Sequence, residues 1–125
     1  MKYLLDTNVI LWWLTEPEKI APKARKIISD RNNAIYTSSV SYWEMAIKTN
    51  IGRLTLPNNI LGILSAEGFL MLPLTPEEGL SVVDLPAIHQ DPFDRMLVIQ
   101  AKLNDLVLIT PDKKIMDYPV VTVKA

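Results

Sequence analysis

Two short apolar runs without polar alternation restrict the fold most: Tyr3-Leu4-Leu5 and Leu106-Val107-Leu108-Ile109-Thr110. A strand with one wet face alternates, whereas an unbroken apolar run reads as a strand buried on both faces of a parallel sheet. Each run is closed by an acid, Asp6 directly and Asp112 after Pro111. In an open α/β sheet the C-terminal strand ends and the helix N-termini converge on one edge and leave a crevice there. Position alone makes Asp6 and Asp112 site candidates. Asp6, Thr7 and Asn8 are equally good N-cap residues for a helix over Val9–Leu14, a role that needs no chemistry.

Between the two runs, amphipathic and apolar segments alternate. Pro22 opens a helix reaching about Asp30, with Ala21, Ala24, Ile27 and Ile28 apolar and Lys23, Arg25 and Lys26 on a solvated side. Ala34–Thr37 reads as a second strand. Ser38 and Ser39 can cap a helix to about Thr49, in which Val40, Trp43, Ala46 and Ile47 are predicted to face the core and Glu44 to lie beside that stripe. Ser41 and Glu44 also have the spacing of a capping box. A helix over Pro57–Gly68, a strand over Phe69–Leu72, a short helix over Glu77–Val83, a loop over Asp84–Gln90 and an edge strand over Pro119–Val123 complete the pattern. Strands alternating with helices predict a three-layer α/β/α sandwich around a central, mostly parallel sheet of four to five strands. At 125 residues, one domain over 1–125 is expected.

Composition removes several chemistries. There is no cysteine and a single histidine, His89, so thiolate sites, structural zinc and a Ser-His-Asp triad are all disfavoured. A metal in this chain must be held by oxygen. His89 itself, in a loop, reads as a surface or capping residue or a substrate contact. The net charge of −1 lacks the positive excess of a protein that grips a long nucleic-acid backbone, although bound divalent cations could carry a few phosphate contacts instead. No apolar stretch approaches the roughly 20 residues that cross a bilayer, and the chain starts on a strand rather than a signal core, so the cytoplasm is expected and no membrane partner.

The stretch Asp91-Pro92-Phe93-Asp94-Arg95 reads as an N-cap, a proline at the first helical position and a second acid at the third. If Asp91 caps, Asp94 is the freer carboxylate and the stronger ligand candidate, with Asp91 the weaker. Asp6, Glu44, Asp94 and Asp112 then all fall at element ends expected to share one sheet edge. Two carboxylates about 4 Å apart repel by roughly 4 kcal/mol at an effective dielectric of 20. A divalent cation relieves this, and an all-oxygen site suits Mg²⁺ or Mn²⁺, one ion or two.

Four segments, Leu4-Leu5-Asp6-Thr7-Asn8, the Ser39–Lys48 helix with Trp43-Glu44, His89-Gln90-Asp91-Pro92-Phe93-Asp94-Arg95-Met96-Leu97 and Leu108-Ile109-Thr110-Pro111-Asp112, occur in the order of the PIN-domain family. The chain most closely resembles the VapC-like ribonuclease toxins of prokaryotic type II toxin–antitoxin systems within it. That resemblance implies a PIN-like fold and a metal-dependent endoribonuclease. Asp6, Glu44, Asp94 and Asp112 would form the acidic Mg²⁺ or Mn²⁺ site, Asn8 and Thr110 its polar supports, and Arg95 or Lys48 an RNA contact. It also implies an RNA substrate, a cognate antitoxin protein and a homodimer, to which one of the adjacent Trp12 and Trp13 could contribute. Three other readings stand beside it. A catalytically inactive PIN-like scaffold keeps the same segments, whereas a phospho-accepting receiver domain wants paired acids after its first strand, which are absent here. A haloacid-dehalogenase-type phosphatase wants a second Asp where Asn8 stands.

Overall fold

The computed structural model describes residues 1–125. Its centre is β1 (Lys2–Leu5), from which α1 (Thr7–Thr15) and α2 (Pro22–Ser29) lead to β2 (Ala34–Ser38). Then follow α3 (Ser39–Asn50), α4 (Ile60–Ala66), β3 (Leu70–Leu72), α5 (Pro76–Leu80), α6 (Pro92–Leu103), β4 (Val107–Thr110), α7 (Lys113–Met116) and β5 (Thr122–Lys124). The five strands form one sheet in the order β3-β2-β1-β4-β5, and every pairing is parallel. Leu4 stands level with Tyr36 on one side and Leu108 on the other, so β1 and β4 are flanked by strands, as their unbroken apolar sequences require.

Side chains alternate across the sheet and so feed two cores. Tyr3, Leu5, Ile35, Val107 and Ile109 face one side, where Val9 and Ile10 of α1, Ala24 and Ile28 of α2 and Leu64 of α4 cover them. Leu4 and Leu108 face the other, against Leu97, Val98 and Ala101 of α6, Ile115 of α7 and Tyr118. These are the three layers predicted from the element pattern. The strand order reverses direction between β1 and β4, because the chain winds outward through β2 and β3 and then returns to the far side of β1. The crevice at that reversal is the ligand position of an open α/β sheet.

Several local readings need correction. In α3 the buried residues are Val40, Ser41, Glu44 and Met45, whereas Trp43 is 61% exposed and Ala46 and Ile47 also face outward. The inward stripe is rotated by one residue because α3 packs against α1 as well as the sheet, and Thr7 meets it with a hydroxyl. The cap is Ser38, whose side chain accepts from the Val40 N–H, so Ser41 and Glu44 form no capping box. The helix predicted over Pro57–Gly68 begins only at Ile60, since Asn59 has a left-handed backbone, φ 57°, and makes no side-chain cap. The helix predicted over Glu77–Val83 splits into α5 and a 3₁₀ turn over Ser81–Asp84, with a true capping box between Thr75 and Glu78. The last strand is shorter and later than Pro119–Val123 but does lie at the sheet edge.

Candidate active site

Asp6 leaves the end of β1 and acts as the N-cap of α1: its Oδ1 accepts from the Asn8 N–H at 3.1 Å. Its Oδ2 accepts from the Thr110 hydroxyl at 2.5 Å, and the same hydroxyl accepts from the Asp112 N–H at 3.0 Å. One threonine at the end of β4 thus joins the acids of the two central strands. Asp6 is buried, and that burial pushes its carboxyl up despite the Thr110 and Asn8 hydrogen bonds, with the charges of Glu44 and Asp112 adding to the rise. Capping and site membership were alternatives in sequence. In the fold Asp6 caps α1 with one oxygen and meets Thr110 beside the other acids with the second.

Glu44 enters from α3 and is only 3% exposed. The Thr7 hydroxyl lies 2.8 Å from Glu44 Oε1, to which it donates, and 2.8 Å from the Ser41 hydroxyl. Lys48, one turn along, donates to Glu44 Oε2 at 2.6 Å. Burial draws the Lys48 ammonium down, but that bond and the charges of Glu44, Asp91 and Asp94 outweigh it and hold it above its ordinary value. Lys48, expected at RNA, is therefore held by a site acid.

Asp91 caps α6 as the Asp-Pro step predicted, its Oδ1 accepting from the Phe93 and Asp94 N–H groups at 2.8 and 3.2 Å. Asp94 is left without such a duty. Burial, then the charges of Asp6, Asp91, Glu44 and Asp112, push it up to about 8. That list is the best electrostatic statement of the site, since every other candidate acid acts on Asp94 at once. Asp112 caps α7 through Oδ1, accepting from the Lys114 and Ile115 N–H groups at 2.8 and 3.4 Å. Burial raises it, but the hydrogen bond from His89 and those from the helix N–H groups overcome this and leave it below the usual carboxylate range.

His89 is the residue that sequence reasoning undervalued. Its Nε2 lies 2.8 Å from Asp112 Oδ2 and 3.1 Å from Asp94 Oδ2, and one ligand atom from each of the three residues falls within 4.8 Å of the others. The two residues before Asp91 could have suggested this, because a side chain there precedes the helix cap that carries Asp94. Thr7 and Ser41 were also missed as supports. Of the predicted supports, Thr110 bridges two acids, while Asn8 contributes its backbone N–H and leaves its side chain exposed. Arg95 turns away from the crevice and donates to the carbonyl oxygens of Leu85, Pro86 and His89. Four carboxylates, three of them held by hydrogen bonds, and no thiolate present a hard, oxygen-rich donor set.

A family model described as PIN domain matches residues 3–120. Ribonuclease VapC22 of Mycobacterium tuberculosis is 27% identical over 118 residues, which are 92% of this chain and 90% of that protein. Among solved structures, VapBC2 from Rickettsia felis bound to a DNA fragment from their promoter has a TM-score of 0.74 at 14% identity, covering 99% of this chain and 98% of its own. A toxin–antitoxin complex from Klebsiella pneumoniae has a TM-score of 0.61 at 18% identity, covering 97% and 95%. At those identities the two structures speak for the fold.

Proposed function

The chain belongs to the PIN domain family, and from that premise we propose that it is an Mg²⁺- or Mn²⁺-dependent endoribonuclease, the toxin of a toxin–antitoxin pair. The observation that carries the reading is the meeting of Asp6, Glu44, Asp94 and Asp112 at the strand-order reversal, with Asp94 lifted by all the others. The similarity to a ribonuclease over nearly the whole chain supports the same chemistry.

The donor set fits a hard divalent cation, since its ligand atoms are carboxylate oxygens and the crowding that lifts Asp94 is what a double positive charge offsets. Asp6, Asp94 and Asp112 would hold one ion or two, with Asp91 a weaker candidate because Oδ1 is committed to two N–H groups. Bound there, such ions would offset the phosphate charge and make water a better nucleophile. The chain's own part is orientation. Thr7 and Lys48 fix the two oxygens of Glu44, which would align or deprotonate the attacking water; Thr110 keeps Asp6 and Asp112 at a set separation. With Lys48 and Arg95 both engaged inside the protein, the phosphate contacts would fall chiefly to the cations.

The partners follow the relatives. A cognate antitoxin is proposed because similar folds occur in toxin–antitoxin complexes, and a homodimer completes the reading. Trp12 and Trp13 are half-buried against the chain's own core, with Trp13 stacked at a tilt on Phe69, so they are poor candidates for the dimer contact. No helix is long and apolar enough to cross a membrane, and a cytoplasmic location is proposed with the function.

The test is cleavage of a mixed RNA pool by purified protein with Mg²⁺ or Mn²⁺, with EDTA, and with Asp6→Ala in parallel. Metal-dependent cutting that disappears in the variant is expected; folded protein that cuts nothing would leave a non-catalytic scaffold as the reading.

A further inference from the structure

We propose that His89 is a positioning residue of the acidic site: an imidazole locked in one tautomer, whose Nε2–H holds Asp112 beside Asp94. The inference rests on the acidic-site reading above and adds a residue outside its four acids.

The tautomer follows from geometry. The Asp91 backbone N–H points at His89 Nδ1 at 3.0 Å. A backbone N–H can only donate, so Nδ1 must present its lone pair, and the ring's one proton sits on Nε2. The other end of the ring agrees, since Nε2 is hydrogen-bonded to Asp112 Oδ2 at 2.8 Å, a carboxylate oxygen that requires a donor, while Asp94 Oδ2 stands 3.1 Å from the same nitrogen. A protonated Nε2 has no lone pair for a cation. His89 is therefore a hydrogen-bond donor to Asp112 and not itself a ligand, although it is grouped with Asp94 and Asp112 in space.

The ring is also fixed in place. The Tyr118 hydroxyl accepts from the His89 N–H at 2.8 Å. Arg95 Nη1 donates to the carbonyl oxygens of Pro86 and His89 at 3.1 and 3.3 Å, and Nη2 to that of Leu85 at 3.3 Å. The first turn of α6 thus carries both Asp94 and the clamp on the loop that bears His89. Asp94 and Asp112 come from separate elements, and His89 Nε2 lies against both, at 3.1 and 2.8 Å. Outer hydrogen bonds of this kind typically change metal affinity by 10- to 100-fold.

Because His89 is the sole histidine, a long-range ¹H–¹⁵N spectrum of metal-free protein reads its tautomer without assignment. The expected pattern has the proton on Nε2 and keeps it there when Mg²⁺ is added. In parallel, Mn²⁺ binding is followed by electron paramagnetic resonance without RNA, with thermal melts to confirm that each variant is folded. His89→Ala should weaken binding by about 10- to 100-fold, Arg95→Ala should shift it in the same direction, and His89→Gln, whose amide can donate near the Nε2 position, should recover to within about threefold of wild type. A proton on Nδ1, or loss of the Nε2 proton on adding Mg²⁺, would make His89 a ligand and overturn the proposal. Wild-type affinity in His89→Ala would overturn it too. Protein that binds Mn²⁺ with this dependence on His89 yet cuts no RNA would sink the nuclease reading and leave this inference standing.

Discussion

Asp94 holds a carboxyl that folding makes hard to ionise, with a value of about 8 against about 3.9 in an unfolded chain. Between those values the unfolded chain has released this proton while the folded one retains it, so the residue lowers stability progressively as pH rises from about 4 to 8. Asparagine has no such penalty. Asp94→Asn is expected to stabilise metal-free protein by about 2 kcal/mol near neutral pH, with the gain shrinking toward pH 4, while abolishing cleavage. Urea unfolding across that range, beside an RNA cleavage assay, checks both. Equal stability at all pH values would mean that Asp94 is not crowded. Thr110 acts on the same scale: Thr110→Val keeps the shape but removes the hydroxyl between Asp6 and Asp112, and should cost about 1 kcal/mol of stability and a larger share of activity. The same pair of assays reads that ratio.

Among the elements, α5 is too short to be stable by itself and is held by a buried polar network. Glu78 accepts from the Thr75 N–H at 2.9 Å, from Gln100 Nε2 at 3.0 Å and from Asn104 Nδ2 at 2.8 Å, while the Gln100 oxygen meets the Ser38 hydroxyl. Burial raises the Glu78 carboxyl, but these bonds together bring it below its ordinary value. A depressed value means that its contribution is complete above about pH 4.3, where an unfolded Glu ionises, and is lost as pH falls through the folded value. Glu78→Gln presents an amide N–H₂ to groups that themselves donate, so it should destabilise by about 1–3 kcal/mol at neutral pH and flatten the acid limb of the stability curve. Denaturant midpoints from pH 3 to 7 would show it. An unchanged acid limb would remove Glu78 as the cause.

For the whole molecule, the surface of α5 and its 3₁₀ extension carries two projecting apolar side chains. Leu80 and Val83 are 76% and 81% exposed, beside a hollow of about 220 Å³ lined by Val40, Trp43, Leu74, Val82, Phe93 and Met96. A projecting pair next to a hollow on one face is what a two-fold contact needs, because each copy can fill the other. The proposed homodimer contact is tested on this face. Val83→Glu is expected to leave the melting temperature within a few degrees of wild type and convert dimer to monomer in sedimentation equilibrium. A dimer that survives the change would place the contact elsewhere.

How much of this was legible depended on the range of the forces involved. The buried strands, the three layers, the Asp91-Pro92 cap and the places of Asp6, Asp94 and Asp112 at strand and helix ends could be read directly, because chain-local patterns of apolarity and capping specify them. Asp6 at the end of Tyr3-Leu4-Leu5 and Asp112 after Thr110-Pro111 needed only the rule that parallel strands share an edge. The tertiary structure decided which face of α3 turned inward, since Trp43 and Glu44 differ by a 100° rotation that only packing against α1, α6 and the sheet selects. It also decided the roles of Thr7, His89 and Arg95. Their partners lie 37 residues away for Thr7 and Glu44 and 23 for His89 and Asp112, and no local pattern encodes a hydrogen bond whose two ends meet only when the sheet has brought separate elements to one edge.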